Sequence, residues 1–128
     1  MKQITALTQD ANQQVTLVLD DGSKVSMGMI YVPSQNGWFY TLSYGNLWPS
    51  TNPLSMQRLI NNPNILRKYR NLIPFGICCI VIDGYEPIYQ SDFVSGRVNL
   101  YLLNQIDVAQ TETLITLTLP NFVGYPLN

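Results

Sequence analysis

The chain has 128 residues, 46% apolar and 12% charged, with a net charge of −1, two cysteines and no histidine. That length holds one domain with a proper core and does not hold two, and the charge balance gives no sign of a nucleic-acid or anionic-membrane partner. Without imidazole, neither a Ser-His-Asp nor a Cys-His arrangement can be built, nor can the histidine-containing zinc sets.

The opening "MKQITALTQDANQQ" carries one lysine, but Thr5, Thr8, Gln9 and Asp10 break any apolar stretch, so it does not read as a signal peptide. In "QVTLVLD", Val15, Leu17 and Leu19 alternate with polar residues, and "DDG" at 20–22 supplies hairpin turn chemistry. The return strand "KVSMGMIYV" puts Val25, Met27, Met29 and Tyr31 on one face. "PSQNG" at 33–37 is a second turn, in which Gly37 is expected to take the positive φ of an Asn-Gly pair. "WFYTLSY" then gathers Trp38, Tyr40, Leu42 and Tyr44, which completes a three-strand meander.

Pro49 and Pro53 mark a loop, and "LSMQRLI" fits a helix or a strand equally. In "NNPNILRKYRN", Asn62 reads as an N-cap and Pro63 as a first helical residue, which predicts a short helix over 63–69. "FGICCIVIDG" is a continuous apolar run ending in Asp-Gly, as expected of a central strand buried on both faces. Its longest stretch, Ile77 to Ile82, is far short of the ~20 residues of a membrane span. A loop containing Pro87 follows. "RVNLYLLN" alternates again, and "TLITLTL" at 113–119 predicts a last strand. The expected architecture is mainly β, a single antiparallel β-sandwich or barrel over residues 1–119 with one short helix near 63–69. Residues 120–128 are expected to form an extended apolar C-terminal arm.

Cys78 and Cys79, as strand neighbours, face opposite sides and cannot easily share a metal, so both are expected to be packing residues. Asp83, Glu86 and Asp92 make a loose acidic group that fits no calcium-loop spacing and is expected to be structural. Arg58, Arg67, Lys68 and Arg70 form a small basic cluster with Tyr69 among them, suited to a solvated face or to salt bridges with a partner. Trp38, Phe39, Tyr40, Tyr44 and Trp48 leave a carbohydrate-binding β-sandwich module as the alternative function. In the arm, Phe122, Val123, Tyr125 and Leu127 would lie bare unless covered, either by their own domain or by a neighbouring subunit. No catalytic residue, cofactor or metal site is expected, and the chain is not expected to be an enzyme.

Taken in order, "NQQVTLVLDDG" at 12–22, "NGWFYTL" at 36–42, "NPNILRKYRNLIPFGICCIVIDG" at 62–84, "EP" at 86–87, "DF" at 92–93 and "GRVNLYLL" at 96–103 resemble the phage baseplate plug family of contractile-tailed phages. The family pattern favours glycine beside Gly76, where this chain has Phe75 and Ile77, and residues 106–128 extend past the shared region. The resemblance implies a tail-tube-like domain and a structural virion protein at the end of the tail tube, joined to tail tube, hub or spike. Its copies are expected to join in a threefold or sixfold ring, without membrane or specific nucleic-acid binding. Without a signal-peptide pattern or a membrane-length apolar run, the chain is expected to be made in host cytoplasm and not secreted, and the resemblance implies a place in the tail baseplate. Trp38, Gly76, Arg97 and Tyr101 are matched positions with packing or interface roles. Arg97 would pair with Asp92 or with a neighbour's carboxylate. Arg67, Arg70, Phe122, Tyr125 and Leu127 complete the candidate interface set.

Overall fold

A computed structural model describes residues 1–118, with side chains through Ile115. Strands account for 40% of the protein and helix for 18%, in two antiparallel sheets that do not close into a barrel. The strands are β1 (Lys2–Ile4), β2 (Asn12–Val18), β3 (Lys24–Val32), β4 (Gly37–Ser43), β5 (Leu54–Arg58), β6 (Gly76–Val81) and β7 (Val98–Leu103). A one-turn helix α1 (Asp92–Ser95) precedes β7, and α2 (Gln105–Thr118) follows it. One sheet runs β2-β3-β4-β5 and the other β1-β7-β6.

The meander forms as its alternation requires. Leu17 pairs with Val25 and Met27 with Leu42, so the apolar members of each strand share one buried face. Gly22 turns the first hairpin at φ 89°, with its N–H donated to the Leu19 carbonyl at 2.9 Å. At the second turn it is Asn36 that takes the left-handed conformation, at φ 48°, and not Gly37. Gly37 is needed for another reason: a Cβ there would meet the Arg58 guanidinium at 2.6 Å. The ambiguous segment 54–58 is a strand, with Leu54 opposite Leu42.

Facing it, Ile77, Cys79 and Val81 of β6 and Val98, Leu100 and Leu102 of β7 close a single core with Trp38, Tyr40 and Met29. The apolar run at 77–82 is therefore a core strand, but β7 is the central one and β6 lies at the edge of its sheet. Asn62 and Ile65 cover that edge: Asn62 exchanges two backbone bonds with Cys79, and the Ile65 N–H reaches the Ile77 carbonyl at 2.8 Å. This pairing replaces most of the helix expected over 63–69. Asn62 Oδ1 accepts from the Asn64 N–H at 2.9 Å, which makes an Asx turn, and only Arg67–Tyr69 coils as a 3-10 turn.

The strand expected at 113–119 is instead part of α2 through Thr118. Asn104 Oδ1 accepts from the Asp107 N–H at 2.8 Å and Asp107 Oδ2 from the Asn104 N–H at 3.2 Å, a reciprocal cap that launches a helix. β7 already has partners on both sides, so no ladder is open for an immediate return strand. The arm at 120–128 lies outside the described residues.

Asn64 is wholly buried, and its Oδ1 accepts from the Leu66 and Ile77 N–H groups at 3.0 and 3.2 Å. A Cβ on Gly76 would come within 2.7 Å of that oxygen. Gly76→Ala is thus expected to cost about 1–3 kcal/mol through overpacking against a fixed side chain. Gly37→Ala should cost less, because the long Arg58 side chain can swing aside. Urea unfolding of the two variants measures the difference, and equal losses would show that Asn64 is not held.

Candidate functional site

Arg97 organises the loop after β6. Its Nε and Nη2 donate to the two carboxylate oxygens of Asp83 at 2.9 and 3.2 Å, Nη1 donates to Asp92 Oδ2 at 3.0 Å, and Nη2 also reaches the Glu86 carbonyl at 3.0 Å. The guanidinium carbon sits 5.3 Å from the centre of the Tyr89 ring. Asp92, only 1% exposed, accepts in addition the N–H groups of Ile88 and Tyr89, both at 2.9 Å. Arg97 therefore pairs within its own chain, with Asp83 and Asp92, whereas the Glu86 carboxylate accepts from the Asn61 N–H at 2.9 Å. Trp38 adds a second tie, donating its indole N–H to the Tyr89 carbonyl at 3.0 Å.

The loop held in this way presents Ile82, Tyr85, Tyr89 and Val94 to solvent, with Ile80 beside them on the outer face of β6. Sequence reasoning passed over this rim. Its signal was a loop rich in apolar residues with no alternation to bury them.

Arg67 and Arg70 converge on Glu112 of α2, at 2.7 and 3.4 Å, and so fasten the helix beside the 3-10 turn. Lys68 lies over Tyr69, whereas Arg58 belongs to β5, where it covers Phe39 and donates to the carbonyls of Gln35 and Asn36. The basic cluster is thus divided between two places. Tyr101 is half-buried on the outer face of the central strand, between Gln3 and Cys78. Phe122, Tyr125 and Leu127 lie outside the described residues. Trp38, Tyr40 and Trp48 are buried, so these three do not form a sugar-stacking platform.

Two ion pairs contribute to the acid response. The side-chain bond from Arg97 holds the Asp83 carboxyl below its ordinary 3.8, and the terminal ammonium of Met1, 2.8 Å from Asp107, does the same there. Both folded values lie below the unfolded ones, so the stability they contribute is complete above about pH 5 and is lost as pH falls through the lower folded values. The thermal midpoint should drop on acidification below that point, and Arg97→Gln should reduce the share due to Asp83, leaving the part held by the Tyr85 N–H.

Both cysteines are buried and unpaired. Burial pushes the Cys79 thiol up to about 12 and raises Cys78 as well, so neither is a thiolate at neutral pH. Iodoacetamide should leave both unlabelled until denaturant unfolds the protein. Rapid labelling of the native chain would reveal an open thiol.

Between β1 and β2, the terminal strands of the two sheets, runs a groove of about 270 Å³ lined by Gln3, Thr5, Val15, Thr16, Val18 and Leu102 among others. No backbone bond joins β1 to β2 among the described residues. No described helix is long and apolar enough to cross a membrane. A family model described as cyanophage baseplate Pam3 plug gp18 matches residues 1–105. No curated protein matches the chain.

Proposed function

The chain belongs to the cyanophage baseplate Pam3 plug gp18 family, and from that premise we propose that it closes or lines the distal end of a phage tail tube through ring-forming subunit contacts. Membership makes it a structural protein of the virion baseplate, associated with other baseplate proteins. The family match over residues 1–105 carries this reading.

Three features support the finer claims. The rim of Ile82, Tyr85, Tyr89 and Val94 is apolar surface held rigid by Arg97 and Asp92, as a contact surface requires. The strand edges at β1 and β2 offer main-chain groups for sheet addition. A chain with 12% charged residues has little surface that resists being covered. The role is one of contact and not of catalysis, in keeping with the absence of histidine from the sequence. Synthesis in the host cytoplasm and joining to tail tube, hub or spike belong to the same proposal.

Mass photometry of the purified chain should show threefold or sixfold species, and mixing with tail-tube or hub protein should give a stable complex. A strictly monomeric protein that joins neither would sink the proposal.

A further inference from the structure

We propose that the groove between β1 and β2 receives residues 119–128 of a second copy as an added strand. This rests on the ring-forming reading and identifies its contact. The groove has a floor of Ile4, Val15, Leu17 and Leu102, all buried, and walls formed by the outer edges of two strands that have a ladder partner on one side only among the described residues. A segment entering it would bury apolar side chains and pair its main chain at once.

The sequence beyond the described residues has the chemistry to fill it. "LPNFVGYPLN" carries no charged side chain, and five residues, Asn121 to Tyr125, keep their N–H donors between Pro120 and Pro126. In extended form Phe122 and Gly124 fall on one face and Val123 and Tyr125 on the other.

Direction points to a neighbouring copy as the donor. Glu112 is bound by Arg67 and Arg70, and that turn follows the segment pairing with the outer edge of β6. Across the order β1-β7-β6 and the 62–65 segment, this is the side of the sheet away from the groove, three spacings or about 14 Å distant. The helix thus delivers the chain to the far edge. A tail leaving one side of each copy and a groove opening on the other make a head-to-tail contact, which closes into a ring when the rotation permits. The tail lies past the family match, which ends at residue 105.

Disulfide trapping in the full chain tests the inference, since Cys78 and Cys79 are buried and do not compete. Chains carrying Thr16→Cys are mixed with chains carrying Val123→Cys and oxidised mildly. A mixed disulfide dimer is expected in most of the protein, reduced at least severalfold by excess LPNFVGYPLN peptide and by Gly124→Pro in the tail donor. No mixed dimer, or a chain bearing both substitutions that closes on itself as a monomer, overturns it. If the unsubstituted protein still forms rings in mass photometry while no link forms, the groove is wrong and the ring stands. If it is monomeric, the ring reading fails as well.

Discussion

Replacing Asp92 by alanine should lower the unfolding free energy by about 3 kcal/mol, the range for removing one member of a buried, hydrogen-bonded charge pair. The carboxylate is 1% exposed and accepts three bonds, from the N–H groups of Ile88 and Tyr89 and from Arg97 Nη1. Its loss leaves two backbone donors and Arg97 Nη1 without their acceptor at a position where the carboxylate itself is 1% exposed. Asp92→Asn keeps one acceptor oxygen but loses the charge, so an intermediate loss is expected. Asp83→Ala should cost little, because Asp83 is bound on the solvent side of the same arginine. Denaturant titration of the three variants gives the ranking. If Asp83→Ala proves as damaging as Asp92→Ala, the buried half of the pair is not what holds the loop. The same variants should loosen the apolar rim and weaken any assembly that uses it.

Trp38→Ala should cost more, about 3–5 kcal/mol, the range for large-to-small changes in a packed core. Trp38 has no exposed surface, and its ring meets Tyr31 at 5.3 Å and Phe93 at 4.9 Å between centroids. Truncation opens a cavity between β4 and α1 and also deprives the Tyr89 carbonyl of its indole donor. Trp38→Phe refills most of the volume without the hydrogen bond, so its loss should be clearly smaller. Thermal and denaturant unfolding followed by tyrosine fluorescence would separate the two terms. A Phe variant as unstable as the Ala variant would assign the effect to the bond and not to the cavity.

The meander was legible in the sequence because period-two alternation and Gly-containing turns are local signals. Val15, Leu17, Val25, Met27, Trp38, Tyr40 and Leu42 could each be placed from near neighbours, and all are buried. The failures share a cause. Asn62 and Pro63 look like a helix start, but Asn62 is taken up by Cys79, 17 positions along the chain, and no local pattern reports such a partner. "TLITLTL" has the composition of a strand, yet a cap made by Asn104 and Asp107 several residues earlier decides its conformation through Thr118. The Asn-Gly pair suggests a backbone role for Gly37, but the constraint comes from Arg58 on the adjacent strand.

For the candidate site, the family resemblance singled out Arg97 and Tyr101, and the acid expected opposite Arg97 was found in Asp92. The apolar rim and the groove were not legible. Each depends on which edges and loops the tertiary arrangement leaves open.

The pairing of Lys2 with Leu102 and Ile4 with Leu100 joins the two ends of the matched domain. During synthesis, β2 to β5 can assemble from neighbours as they leave the ribosome, each strand finding a partner already made. The first strand cannot. It must wait until β7 has emerged, nearly a hundred residues later, and close a loop that encompasses the rest of the fold. Until then Ile4 and one side of the core stay open, so β1 docks only once β7 is in place. A chain stalled before residue 98 would hold a formed hairpin sheet and no second layer.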